Sequence, residues 1–125
     1  MSAAPLDPET IASIRALAGD EGDDFLRELI GIFLEDTPLR FAEMDEALRA
    51  GDASKLARAA HSIKGSSSNV GALTLRTEAE ALEQKSHHGL EGATEAVQRL
   101  RQEFVRTKEA LNALLEGGAR PPGAL

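Results

Sequence analysis

Apolar residues recur along this chain at spacings of three and four, and glycines and prolines interrupt the recurrence. That period belongs to the α-helix, and the interruptions divide the chain into helical segments. Asp7-Pro8 reads as an N-cap followed by proline at the first helical position. Leu6 and Ile11 stand where a hydrophobic staple would place them. This first helix is expected to reach about Leu17 and to end at Gly19. A second is expected from about Asp24 to Leu34, with Phe25, Leu26, Leu29, Ile30 and Phe33 forming a wide apolar face. Thr37-Pro38 reads as the cap of a third, which turns Phe41, Met44 and Leu48 inward and stops at Gly51. Asp52 caps a fourth, and Gly71 marks the turn after it. A fifth covers about Ala72 to Ser86, with Leu75, Ala79 and Leu82 on one face. After the polar stop at 86–89, a sixth runs from about Gly92 to Leu115, carrying Ala93, Val97, Leu100, Phe104, Leu111 and Leu114 in register.

Strand patterns are nearly absent, and short links between long amphipathic helices make antiparallel neighbours. The expected fold is therefore all-α, an up-down antiparallel four-helix bundle with additional short N-terminal helices. Residues 1–116 form one domain in this reading, and 117–125 a disordered tail, since the chain of 125 residues suits one core. The Phe and Leu stripes read as that core.

Composition narrows the function. Hydrophobic residues make up 42%, which argues against disorder. The net charge of -7 and the four Phe, with no Trp or Tyr, make a poor nucleic-acid binder. There is no cysteine, so no disulfide or thiolate metal site, as suits a reducing cytoplasm. The N-terminus lacks the basic and apolar segments of a signal peptide, and no apolar run is long enough to span a bilayer. A cytoplasmic protein away from membranes is expected. The charge is uneven, however. From Ala53 to Thr77 there is no Asp or Glu, although the chain holds 21 of them, while Lys55, Arg58, Lys64 and Arg76 fall inside. That reads as a basic patch on an acidic body, placed to steer an anionic partner.

The same window contains a helix that thins itself out. His61 is followed by Gly65, by Ser66-Ser67-Ser68 and by Asn69, all weaker helix formers than alanine or leucine. On a helical wheel, Leu56, Ala59, Ile63, Ser67 and Val70 make the buried stripe, and His61 lies almost opposite it. The neighbours of His61 on the open face are Ser54, Ala57, Arg58, Lys64, Gly65 and Ser68; apart from two cations, all are small. On the inner side, Ser66 and Ser67 would let neighbouring helices approach. A neutral imidazole is a good nucleophile near neutral pH. Lys64 could neutralise oxygens of a bound phosphoryl group, and Gly65 removes the side chain that would obstruct an incoming surface. An ordinary surface histidine on a solvated helix fits the same physics equally well.

The run His61-Ser62-Ile63-Lys64-Gly65-Ser66-Ser67, followed by Gly71-Ala72, resembles the signature of the histidine-containing phosphotransfer (HPt) domains of bacterial multistep phosphorelays. The resemblance extends from the third helix to about Glu83. It implies a histidine that accepts a phosphoryl group from the aspartyl phosphate of one response-regulator receiver domain and passes it to another. It also implies that His61 is the phospho-acceptor, Lys64 its positive neighbour and Gly65 the clearance residue. The family places a Gln or Glu on the next helix to hold the imidazole, and here that residue is Glu83. The wheel agrees that Glu83 borders the Leu75-Ala79-Leu82 face while Gln84 points away. Because His61 stands opposite the buried stripe, Glu83 would have to reach around the shoulder of the bundle.

No glycine-rich nucleotide loop, P-loop or kinase ATP motif is present. The expectation is a phosphoryl carrier and not an enzyme, without a cofactor or metal site of its own. The Mg²⁺ and most of the catalytic groups would belong to the receiver. His87 and His88 read as turn residues, since neither cysteines nor an HExxH pattern accompany them. Expected partners are receiver domains and a hybrid or cognate histidine kinase, met by a monomer through Ser54, Ala57, Arg58 and Ser68. Two alternatives stay open. One is a chemotaxis-type domain phosphorylated directly by a kinase. The other is a scaffolding bundle that is never phosphorylated.

Overall fold

The structure is a computed structural model describing residues 4–119, with side chains as far as Glu116. Helix α1 spans Pro8–Leu17, and a 3₁₀ turn at Gly19–Glu21 leads into α2, Gly22–Ala50. Helices α3 (Ala53–Asn69), α4 (Leu73–Ser86) and α5 (Ala93–Ala119) follow. Among the described residues the only strand-like feature is an isolated bridge between Leu6 and Ala72. Helix α2 packs on α3 and α5, α3 on α4, and α4 on α5, while among the described residues the backbones of the diagonal pairs stay apart. That closes an antiparallel four-helix bundle, with α1 lying on α2. No described helix is long and apolar enough to cross a membrane.

The chain's stops act largely as their chemistry requires. Asp7 caps α1 by accepting from the Glu9 amide and the Thr10 hydroxyl, and Leu6 packs on the core beside Ile11. Gly51 ends α2 with φ 66°, a left-handed backbone that glycine adopts without steric cost. Asp52 then caps α3 by accepting from the Lys55 amide at 3.0 Å. Gly71, with φ 68°, turns the chain from α3 to α4. The segment before α1 clamps that turn, because the Asp7 amide donates to the Gly71 carbonyl and the Leu73 amide to the Pro5 carbonyl.

One expectation is corrected. The second and third predicted helices are a single 29-residue helix that passes straight through Thr37-Pro38. Proline in a helix interior removes one hydrogen bond and costs about 3 kcal/mol. Here the apolar register continues across it without a break, and Leu26, Ile30, Phe33, Thr37, Phe41 and Met44 are all buried. Phe33 and Phe41 both meet Phe104 of α5 with ring centroids 5.8 Å apart. Pro38 itself is exposed. The Thr37 hydroxyl, read from sequence as a cap, instead donates back to the Phe33 carbonyl at 2.7 Å inside the helix. The start of α2 also hides a constraint. A Cβ added at Gly22 would lie 2.2 Å from the Arg15 carbonyl oxygen, so only glycine admits this approach of α1. At the other end α5 continues through Ala119, taking in the first residues that the sequence assigned to the tail. Residues 120–125 of that tail lie outside the described residues.

Candidate functional site

Three serines of helix α3 turn their hydroxyls back onto the helix. The hydroxyls of Ser62, Ser66 and Ser68 donate to the carbonyls of Arg58, Ile63 and Lys64. These three serines satisfy their own polarity on the helix and leave its surface low, whereas the buried Ser67 hydroxyl finds no partner among the described residues. Leu56, Ala59, Ile63, Ser67 and Val70 are buried, as their periodicity requires. The buried arc is wider than that stripe, because α3 packs against α2 on one side and α4 on the other. This corrects one site residue: Ala57, placed by the wheel on the open face, is only 5% exposed. Ser54, Arg58, Gly65 and Ser68 do stand on the exposed surface.

The His61 side chain is 64% exposed, and its Nδ1 lies 2.9 Å from Oε2 of Glu83, which is 17% exposed. Glu83 does reach around the shoulder. It leaves α4 at the edge of the buried Leu75-Ala79-Leu82 face and meets α3 from the side. Lys64, one turn after His61, places Nζ 3.0 Å from the other carboxylate oxygen, Oε1. Burial pushes the Glu83 carboxyl up, but the hydrogen bonds and charges of Lys64 and His61 outweigh it and leave the group below its ordinary value. An ionised carboxylate only accepts. The imidazole proton is therefore held on Nδ1, and the lone pair of Nε2 is directed away from the bundle. At Gly65 an added Cβ would meet nothing within 4 Å. The surface beside the imidazole is open to a second body.

Beside His61 the surface sinks into a hollow of about 430 Å³, lined by Ser54, Ala57, Arg58 and Ser62 of α3 and by Glu83 and His87 at the end of α4. His87, read from sequence as a turn residue, does lie in the turn after α4, and it also lines this hollow. The available signal for the latter was its spacing of one helical turn from Glu83, which sets both on one face. His88 is exposed and does not line this hollow. The basic patch is also smaller than the acid-free window suggests. Lys55 pairs with Glu46 of α2 at 2.8 Å and Lys64 with Glu83 of α4, so acids from neighbouring helices enter it. Among the described residues no group of three or more His, Asp or Glu side chains is placed to hold a metal ion.

Fold and site together define a phosphotransfer module, and comparison with known proteins agrees. The family model of the Hpt domain matches residues 28–117, and the chain belongs to that family. Among solved structures it is similar to histidine-containing phosphotransfer protein B from Pseudomonas aeruginosa PAO1. That match has 32% identity and a TM-score of 0.81, and it covers 92% of this chain and 97% of that one. A rice protein assigned as a histidine-containing phosphotransfer protein shares the fold at 21% identity, with a TM-score of 0.78 and coverage of 93% and 86%. No curated protein matches the chain significantly. The protein has a histidine phosphotransfer role in phosphorelays.

Proposed function

We propose that His61 is the phospho-acceptor and that the domain carries its phosphoryl group between the aspartates of receiver domains. The observation that carries this reading is the 2.9 Å contact of Nδ1 with Glu83, made while the imidazole stands 64% exposed. Nε2 attacks the phosphorus of the aspartyl phosphate as an N–P bond forms. The P–O bond breaks, and its electron pair leaves with the receiver's aspartate. The ring keeps its Nδ1 proton and becomes cationic, a charge that the Glu83 carboxylate stabilises. The reverse sequence delivers the group to the next receiver. Lys64 holds Glu83 in place and lies beside the transferring oxygens. Gly65, Ser54, Arg58 and Ser68 present the surface on which the receiver docks, and Ala57 supports it from below.

In this reading the chain is a carrier and not an enzyme. Mg²⁺ and the remaining catalytic groups sit on the receiver. The domain acts as a cytoplasmic monomer. The test is incubation with phosphorylated receiver domains, followed by mapping of the acid-labile phosphate. His61→Gln is expected to abolish labelling. Label retained in that variant, or found on His87 or His88, would falsify the assignment.

A further inference from the structure

The donors left uncommitted around His61 are not those of its sequence motif. Lys64 lies against Glu83 on one side of the imidazole. On the other side, toward the start of α3, is the hollow with Arg58 and His87 on its walls. Neither of these two side chains has an ion pair or a side-chain hydrogen bond among the described residues. The backbone of His87 is still helical, at φ -68° and ψ -16°, so its imidazole leaves α4 on the same face as Glu83. Arg58 lies one turn before His61 on α3. The only acid on the hollow is Glu83, and its two oxygens already face His61 and Lys64.

We propose that His87 and Arg58 form an oxyanion cradle for the phosphoryl group on His61, with His87 a phosphoryl-binding residue of the site. The inference rests on His61 being the acceptor. A phosphoryl group brings a charge of about -1.5 to -2 and three strong acceptor oxygens onto this surface. A guanidinium and an imidazole N–H are matched donors for such oxygens, and Ser54 adds a hydroxyl at the same rim. The hollow exceeds one phosphoryl group in size. It therefore also leaves room for the receiver's loop while the group is transferred.

The experiment compares wild type, His87→Ala, His87→Lys and Arg58→Ala in the full chain. It measures transfer from a phosphorylated receiver, the lifetime of phospho-His61 after receiver removal, and thermal melting. The His87 ring resonances are followed by NMR as His61 is phosphorylated. His87→Ala is expected to slow transfer about tenfold, the equivalent of one charge-assisted hydrogen bond, with melting unchanged. His87→Lys, which restores an N–H donor, is expected to recover most of that loss. The His87 ring signals are expected to move on phosphorylation. Wild-type transfer by His87→Ala, or ring signals indifferent to phosphorylation, overturns the cradle while leaving the acceptor in place. Equal losses of rate and melting temperature in both His87 variants mark a structural role and overturn it too. A wild-type protein that takes no label at His61 overturns both this inference and the reading beneath it.

Discussion

At the residue scale, position 65 matters for what it lacks. Glycine in the middle of a helix costs roughly 0.5–1 kcal/mol relative to alanine, and no contact in the folded chain demands it there. Gly65→Gln is therefore expected to raise stability by up to about 1 kcal/mol while slowing phosphotransfer, because the new side chain stands where the receiver docks. Urea unfolding and transfer kinetics on the same preparation separate the two effects. Unchanged transfer would show that clearance is not its role. The positions of His61 and Glu83 were legible beforehand, since wheel geometry and motif spacing both describe one helix at a time. Ala57 was not, because its burial depends on α4 lying against α3. The same limit hid His87, whose part emerges only when the end of α4 comes beside His61.

At the element scale, α2 shows packing overriding a local breaker. Propensity divides this segment at Thr37-Pro38, yet the buried faces on both sides are in phase and share α5 as a partner. The apolar area buried by a continuous helix outweighs one missing hydrogen bond. Because Pro38 is exposed, its replacement disturbs no core contact. Pro38→Ala is expected to stabilise the bundle by about 1–3 kcal/mol, read from the denaturant midpoint. A lower midpoint would mean that the proline shapes α2 in a way the bundle requires. The caps at Asp7 and Asp52 were readable because they involve residues two or three apart in sequence.

At the scale of the whole molecule, charges from different helices meet where no window of sequence brings them together. Glu78 of α4 has its carboxyl pushed up, first by burial and then by the charge of Glu103 on α5, while Arg99 and Arg106 oppose the shift. Glu103 is itself buried and accepts from Thr74 at 2.7 Å. A carboxyl whose folded-state value is raised binds its proton more tightly in the folded protein. Stability is therefore lost as pH rises from the ordinary carboxylate range through the folded value. Glu78→Gln is expected to melt higher than wild type at pH 7, with the difference shrinking as pH falls toward 4. A melting difference independent of pH would remove the electrostatic explanation.

The helical class, most helix boundaries, the buried stripe of α3 and the exposure of His61 opposite it follow from the sequence alone. Each of these follows from interactions within a turn or two of one helix, where periodicity, caps and glycine act without reference to the rest of the chain. Packing between helices was needed to leave α2 unbroken, to require that Gly22 lack a side chain and to partner Lys55 and Lys64 with acids. It alone brought Arg58 and His87 to one hollow beside His61. Those outcomes depend on which helix faces compete for the same space and the same charge. That competition is settled by packing among α2, α3, α4 and α5, and not within any one of them.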